Sequence, residues 1–152
     1  GVDFTQKPRK LWRNTNYYVV REFARMIGRE VLQTEVRCDA YDSPAIGIMA
    51  PLSNVPFIDV GAYRSAEPEQ GTLFVVNRDV ARDRTVAIDP GYPSFRVTSI
   101  ETLASASYKD GNSASAPDRV TLARDPRAPI ACEGDYETTL PRHSLVILTM
   151  AP

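Results

Sequence analysis

"GTLFVVNRDV", residues 71–80, is the stretch whose reading decides the fold. Thr72 to Val76 reads as a buried strand, and the chain then halts on the polar triplet Asn77-Arg78-Asp79. The run has no polar alternation. Leu145 to Leu148 repeats the pattern near the end of the chain. In a two-layer sandwich the inward face of a strand is core and the outward face is wet, so both runs call for a cover on the outward side. Other protein is the expected cover.

Working outward, the same grammar of short strands and turn residues holds from Gly28 onward. The candidate strands are Val31–Cys38, Phe57–Tyr63, Thr72–Val76, Thr85–Ile88, Phe95–Leu103, Arg119–Leu122, Tyr136–Leu140 and Ser144–Met150. Between them lie "DSP", "EPEQG", "DPGYP", "KDGNSASAP" and "RDPRAP", rich in residues that supply turn dihedrals or remove a backbone donor. The 12 prolines and 8 glycines exclude a helical bundle. Many short strands with no helices between them predict a mainly β chain, an antiparallel, jelly-roll-like sandwich.

Ahead of the strands comes one helix. Thr15 or Asn16 can cap it and Gly28 can end it in the left-handed conformation, which predicts a helix over Tyr17–Ile27. Val20, Phe23, Ala24 and Ile27 form an apolar stripe, which Tyr18, Val19 and Met26 widen. Arg21, Glu22 and Arg25 leave only a narrow polar face. A helix this apolar is packed on two sides, and one small domain hardly offers two. Residues 1–30 therefore read as an arm and a connecting helix, and residues 31–152 as the sandwich.

The totals set bounds. A chain of 152 residues supports one domain. A formal net charge of −1 gives no basic surface for nucleic acid. No apolar run reaches the ~20 residues that span a bilayer, so no membrane segment is expected. The chain opens on Gly1 without a signal-peptide pattern, which points to processing or to a cut from something longer. Cys38 and Cys132 stand far apart; they read either as separate thiols packed as small hydrophobes or as a bridge between neighbouring strands. With one histidine and no CxxC spacing, a zinc site is not expected, and no phosphate loop appears. No cofactor is called for.

Placed in order, the motifs resemble the C-terminal β-domain of family 51 α-L-arabinofuranosidases. The family's Val-Pro-aromatic-hydrophobic-Asp strand is matched by Val55, Pro56, Phe57, Ile58 and Asp59, and its Asn-Arg strand ending by Asn77 and Arg78. Its next marker, Asn-Thr, then Pro and Val, is matched at Asn112, Pro117 and Val120, with Ser113 as the one departure. The closing marker is matched by Leu140, Pro141, His143 and Ser144. Upstream, "YYVVREFARMIGREVL" is similar to the family's tyrosine-rich helix, which closes the catalytic barrel. Pro90–Lys109 carries no marker of the family.

The resemblance implies a non-catalytic domain that stabilises a catalytic (β/α)8 barrel of the same or a companion polypeptide. It also implies an arabinan or arabinoxylan substrate for the whole enzyme, with release of terminal arabinofuranosyl residues, and assembly of several copies. Retaining glycosidases use two carboxylates about 5–5.5 Å apart. In the family both glutamates lie on barrel strands, the acid/base after an asparagine. No Asn-Glu dipeptide occurs here and a barrel of ~250 residues is missing, so no catalytic residue is carried over.

The residues themselves offer less chemistry. Glu67/Glu69, Asp79/Asp83 and Asp135/Glu137 sit in or beside turns and read as solvated carboxylates. His143 and Ser144 are adjacent on a strand and point to opposite faces, which defeats a nucleophile–base pair. Asn77 can bond its own turn backbone, and Arg78 can fork onto a carboxylate or carbonyls. A different class of function, a free-standing carbohydrate-binding module, would stack sugars on Trp12, Tyr63, Tyr92, Tyr108 and Tyr136. Exposed coplanar rings would favour the module, and an exposed apolar patch a lost barrel contact.

Overall fold

The computed structural model describes Thr5 and residues 11–152. Most of the expected arm therefore lies outside the described residues. Helix α1 (Thr15–Ala24) precedes β1 (Glu30–Leu32), β2 (Ala40–Ser43), β3 (Leu52–Pro56), β4 (Ile58–Ala66), β5 (Glu69–Asn77), β6 (Arg84–Ile88), β7 (Ser94–Leu103), β8 (Leu122–Arg124), β9 (Ile130–Glu133), β10 (Tyr136–Leu140) and β11 (Ser144–Ala151). A seven-stranded sheet runs β1-β4-β5-β11-β7-β8, with β9 also on β7; β10 pairs β6, and β2 pairs β3. All the pairings are antiparallel.

The two apolar strands lie at the centre of the large sheet, hydrogen-bonded to each other from Ser144↔Asn77 to Met150↔Gly71. The strand period of two sends their side chains to opposite faces. On the inner face Val75, Val146, Leu148 and Met150 pack with Phe95, Val97, Tyr136 and Leu140. Val86 and Ile88 join that core, so the β6–β10 pair forms the second layer of the sandwich. On the outer face Phe74, Leu145 and Ile147 pack with Leu103, Val120, Tyr18 and Met26. The outward cover is thus α1 and the flanking segments of the same chain, not other protein. An amphipathic helix is long enough to lie over the middle of one face, which corrects the expectation of a missing cover.

Helix α1 also turns differently from the expected stripe. Tyr18 and Glu22 in the helix and Met26 just beyond it are buried, and Phe23 stacks on Phe74 with ring centroids 4.2 Å apart. Val20 and Ile27, expected in the core-facing stripe, are 66% and 84% exposed. Glu22, assigned from the sequence to the polar face, is buried with Arg21 at 2.6 Å and Arg25 at 3.0 Å. Long arginines that keep their heads near water let a carboxylate go under the helix. The helix stops at Ala24 rather than Ile27, and Gly28 takes the left-handed conformation at φ 82° after a further turn.

Three other expectations shift. The strand expected over Val31–Cys38 pairs only through Leu32; beyond it the Thr34 hydroxyl donates to Val60 O and the Cys38 thiol to Ile58 O, replacing a ladder with side-chain bonds. The strand expected over Arg119–Leu122 lies at β8 instead, because Asn112 takes both backbone groups of Val120. The strands β2 and β9 and the first part of β3 lie outside the expected strands, and the motif strand Val55–Asp59 is split, with Val55 and Pro56 ending β3 and Ile58 and Asp59 opening β4. Both cysteines are free, Cys38 exposed and Cys132 half-buried. Among the described residues no helix is long and apolar enough to cross a membrane.

Candidate functional site

Most of the family-motif residues, Asp59, Asn77, Arg78, Leu140, His143 and Ser144, gather at one end of the sandwich, where β5 leaves the sheet and β11 enters it. Asn77 is 1% exposed. Its amide Nδ2 lies 3.2 Å from Leu140 O, 3.0 Å from Pro141 O and 3.2 Å from Arg82 O, and its Oδ1 accepts from the Asp79 N–H at 3.0 Å. One side chain therefore ties the end of β5 to the β6 approach and to the β10–β11 turn. The polar triplet halts a strand with no polar alternation because its first member has to reach three carbonyls of other segments.

Asp79 is the second knot. It is buried, contrary to its expected place among solvated carboxylates. Its Oδ1 accepts the N–H groups of Ala81 and Arg82 at 2.9 and 3.1 Å, and Oδ2 meets Arg84 at 2.9 Å. The Ala81 N–H first, then the Arg84 guanidinium, hold its carboxyl below the usual range against the opposing effect of burial. Arg84 also reaches Asp39 at 3.4 Å and lies 3.8 Å over the Phe57 ring, so the base of the β2–β3 hairpin is clamped here. Neither Asp79 nor Arg84 was singled out as a site residue. Their only sequence signal was an acid followed five residues later by a base.

Arg78 pairs with Asp59 and donates to Pro56 O at 3.2 Å, a fork onto one carboxylate and one carbonyl. His143 sits at φ 42°, its N–H donating to Asp79 O and its Nε2 to Ser105 O, both at 2.9 Å. The Ser144 hydroxyl donates to Pro141 O at 2.6 Å, away from the imidazole. Leu140 is fully buried in the inner core. Asn112 stands apart from this end knot: its amide donates to Arg13 O and Val120 O at 2.9 and 2.8 Å, joining the loop to the segment ahead of α1. Pro117 is exposed in that loop.

The candidate stacking rings are dispersed. Tyr136 is in the inner core, and Tyr63 packs edge-on to Phe23 and Phe74. Tyr92 is half-buried with its hydroxyl on Glu69, Trp12 is half-buried, and Tyr108 alone of the five is largely exposed. Among the described residues no group of three or more His, Cys, Asp or Glu side chains is placed to hold a metal ion. The ensemble can fasten strands.

The family model described as "Alpha-L-arabinofuranosidase C-terminal domain" matches residues 1–144. The chain belongs to that family. This arabinofuranosidase C-terminal domain also superposes on solved enzymes. A crystal structure of an arabinofuranosidase matches at TM-score 0.77 and 19% identity, over 93% of this chain and 30% of that one. The α-L-arabinofuranosidase of Thermotoga maritima gives 0.74 and 19%, over 90% and 28%. A family 51 α-L-arabinofuranosidase of Bifidobacterium longum gives 0.74 and 25%, over 92% and 26%. The domain spans less than a third of the length of each of these chains. No curated protein matches it significantly.

Proposed function

We propose that the chain serves as the non-catalytic accessory domain of a larger α-L-arabinofuranosidase, stabilising a catalytic barrel through the outward face of α1. One observation carries this reading. Tyr17, Val20 and Ile27, on the face turned away from the sheet, are 43%, 66% and 84% exposed. Apolar faces of this kind mark contact surfaces. The helix and the turn that follows it then serve both units, Tyr18, Glu22 and Met26 on the sandwich and Val20 and Ile27 on the barrel. On this reading residues 1–30 form the connection and residues 31–152 the sandwich. The motif residues Asp59, Asn77, Arg78, Asn112, Pro117, Leu140, His143 and Ser144 act structurally.

The chemistry of the whole enzyme would be release of terminal α-L-arabinofuranosyl groups from arabinan or arabinoxylan, with the carboxylates supplied by the barrel. The full polypeptide carrying this domain is expected to hydrolyse an aryl α-L-arabinofuranoside. Ile27→Asp is expected to lower its thermal midpoint while leaving that of the 152-residue chain unchanged. Equal losses in both would sink the contact, and an inactive full polypeptide would sink the activity.

A further inference from the structure

Arg29 sits where the chain turns from α1 into β1. Its N–H donates to Met26 O at 3.0 Å, and the left-handed Gly28 before it makes the reversal. The residue is half-buried, and its Nη1 is buried with no hydrogen-bond partner. The nearby carboxylates are committed elsewhere: Glu22 holds Arg21 and Arg25, and Glu30 faces Arg64 at 3.7 Å. Among the described residues no carboxylate forms an ion pair with Arg29. A guanidinium keeps its charge in a protein, so a donor buried without an acceptor destabilises the fold that holds it. Two residues to either side in the chain stand Ile27 and Val31, 84% and 72% exposed. Val31 pairs with Tyr63, whose ring packs on Phe23 and Phe74. Directly opposed residues share a face, so Val31 lies on the outer, α1 side of the sheet.

We infer that Arg29 is the polar anchor of the contact proposed for α1, and that it pairs with a carboxylate of the catalytic unit in the longer polypeptide. The inference rests on that proposed contact and adds the chemistry of its partner. An apolar patch alone accepts any apolar surface. A cover that brought only aliphatic groups would bury the whole guanidinium without an acceptor, which costs more than a patch of this kind returns. The covering surface therefore has to bring an acceptor to Arg29. A carboxylate matches both its charge and its planar fork, and engages two N–H groups at once. The arginine stem has the rotamer freedom to turn Nη1 toward an acceptor that the chain itself does not hold. The solved relatives have the length to supply one, since this chain covers no more than 30% of each.

Thermal midpoints of the 152-residue chain and of the full polypeptide test it. Arg29→Met keeps the apolar stem and removes the charge. In the chain it is expected to hold or raise the midpoint, because a donor without an acceptor is gone. In the full polypeptide it is expected to lower the midpoint, because the substitution leaves a buried carboxylate unpaired. A loss in the chain, or none in the full polypeptide, would overturn the inference. In the full polypeptide carrying Arg29→Lys, a carbodiimide should join the new amine to an Asp or Glu outside residues 1–152. A join only to Glu22 or Glu30, a join to a second copy, or none at all would overturn it as well. Ile27→Asp reads the proposed contact separately: a full polypeptide that loses stability with Ile27→Asp but not with Arg29→Met keeps the contact and discards the anchor.

Discussion

Asn77 shows how much a single side chain determines at this end of the sandwich. Its replacement by Ala takes the Nδ2 donor from Leu140 O and Arg82 O, while Pro141 O keeps the Ser144 hydroxyl, at a cost of about 1–3 kcal/mol. Asn77→Asp should cost more, because it sets a carboxylate against the same carbonyls. Urea midpoints should fall in the order wild type, Ala, Asp, with unchanged slopes. Asp79 carries a pH dependence of known sign. Its folded-state carboxyl titrates below its unfolded value, so its contribution is full above about pH 4 and fades as pH falls through the lowered value. Asp125, lowered to about 2 by the Arg127 side chain and backbone N–H, fades in the same direction. Urea midpoints measured between pH 5 and 2 should decline for the wild type and decline less for Asp79→Asn, which starts lower at pH 7. Asn77 and Arg78 were legible in the sequence as a strand ending. The burial of Asp79 was not, because the carbonyls, N–H groups and guanidinium that enclose it come together only when β5, β6 and the β10–β11 turn meet.

At the scale of elements, α1 separates what pattern can tell from what it cannot. Its apolar breadth announced two contact sides; one packs on the sheet, and the other, with Tyr17 and Val20, is exposed. Pattern did not say which side meets the sheet, since both are apolar enough to do so. The choice fell on Tyr18, Glu22 and Met26 because Arg21 and Arg25 can accompany the carboxylate to the edge of the contact. Removing the buried charge leaves only arginines that already reach water, and a hydrophobic replacement of similar volume is often neutral or stabilising. Glu22→Leu should therefore hold or raise the thermal midpoint, and Arg21→Ala with Arg25→Ala should lower it. The β2–β3 hairpin is the opposite case. Its tip displays Ile46, Ile48, Met49 and Leu52 to solvent, and its base is held by Arg84 against Asp39 and Phe57. A two-stranded ribbon has little stability of its own. Arg84→Ala should speed hydrogen exchange across β2 and β3 before it changes exchange in β11.

For the whole molecule, the sheet is organised around β11, flanked by β5 and β7 and packed on both faces. Leu148, fully buried on the inner face, should cost about 2–5 kcal/mol when cut to Ala, read from chemical unfolding. By itself the sequence determined the class of fold, the burial of β5 and β11 on both faces, and the motif order that marks the family. Those follow from local periodicity, turn chemistry and spacing, which each segment carries alone. Tertiary structure decided which face of α1 is buried, that the chain covers its own outer sheet, and that Arg29 holds a buried nitrogen without a partner. Those outcomes depend on which surfaces compete for burial once the sheet exists, and no single segment holds that information.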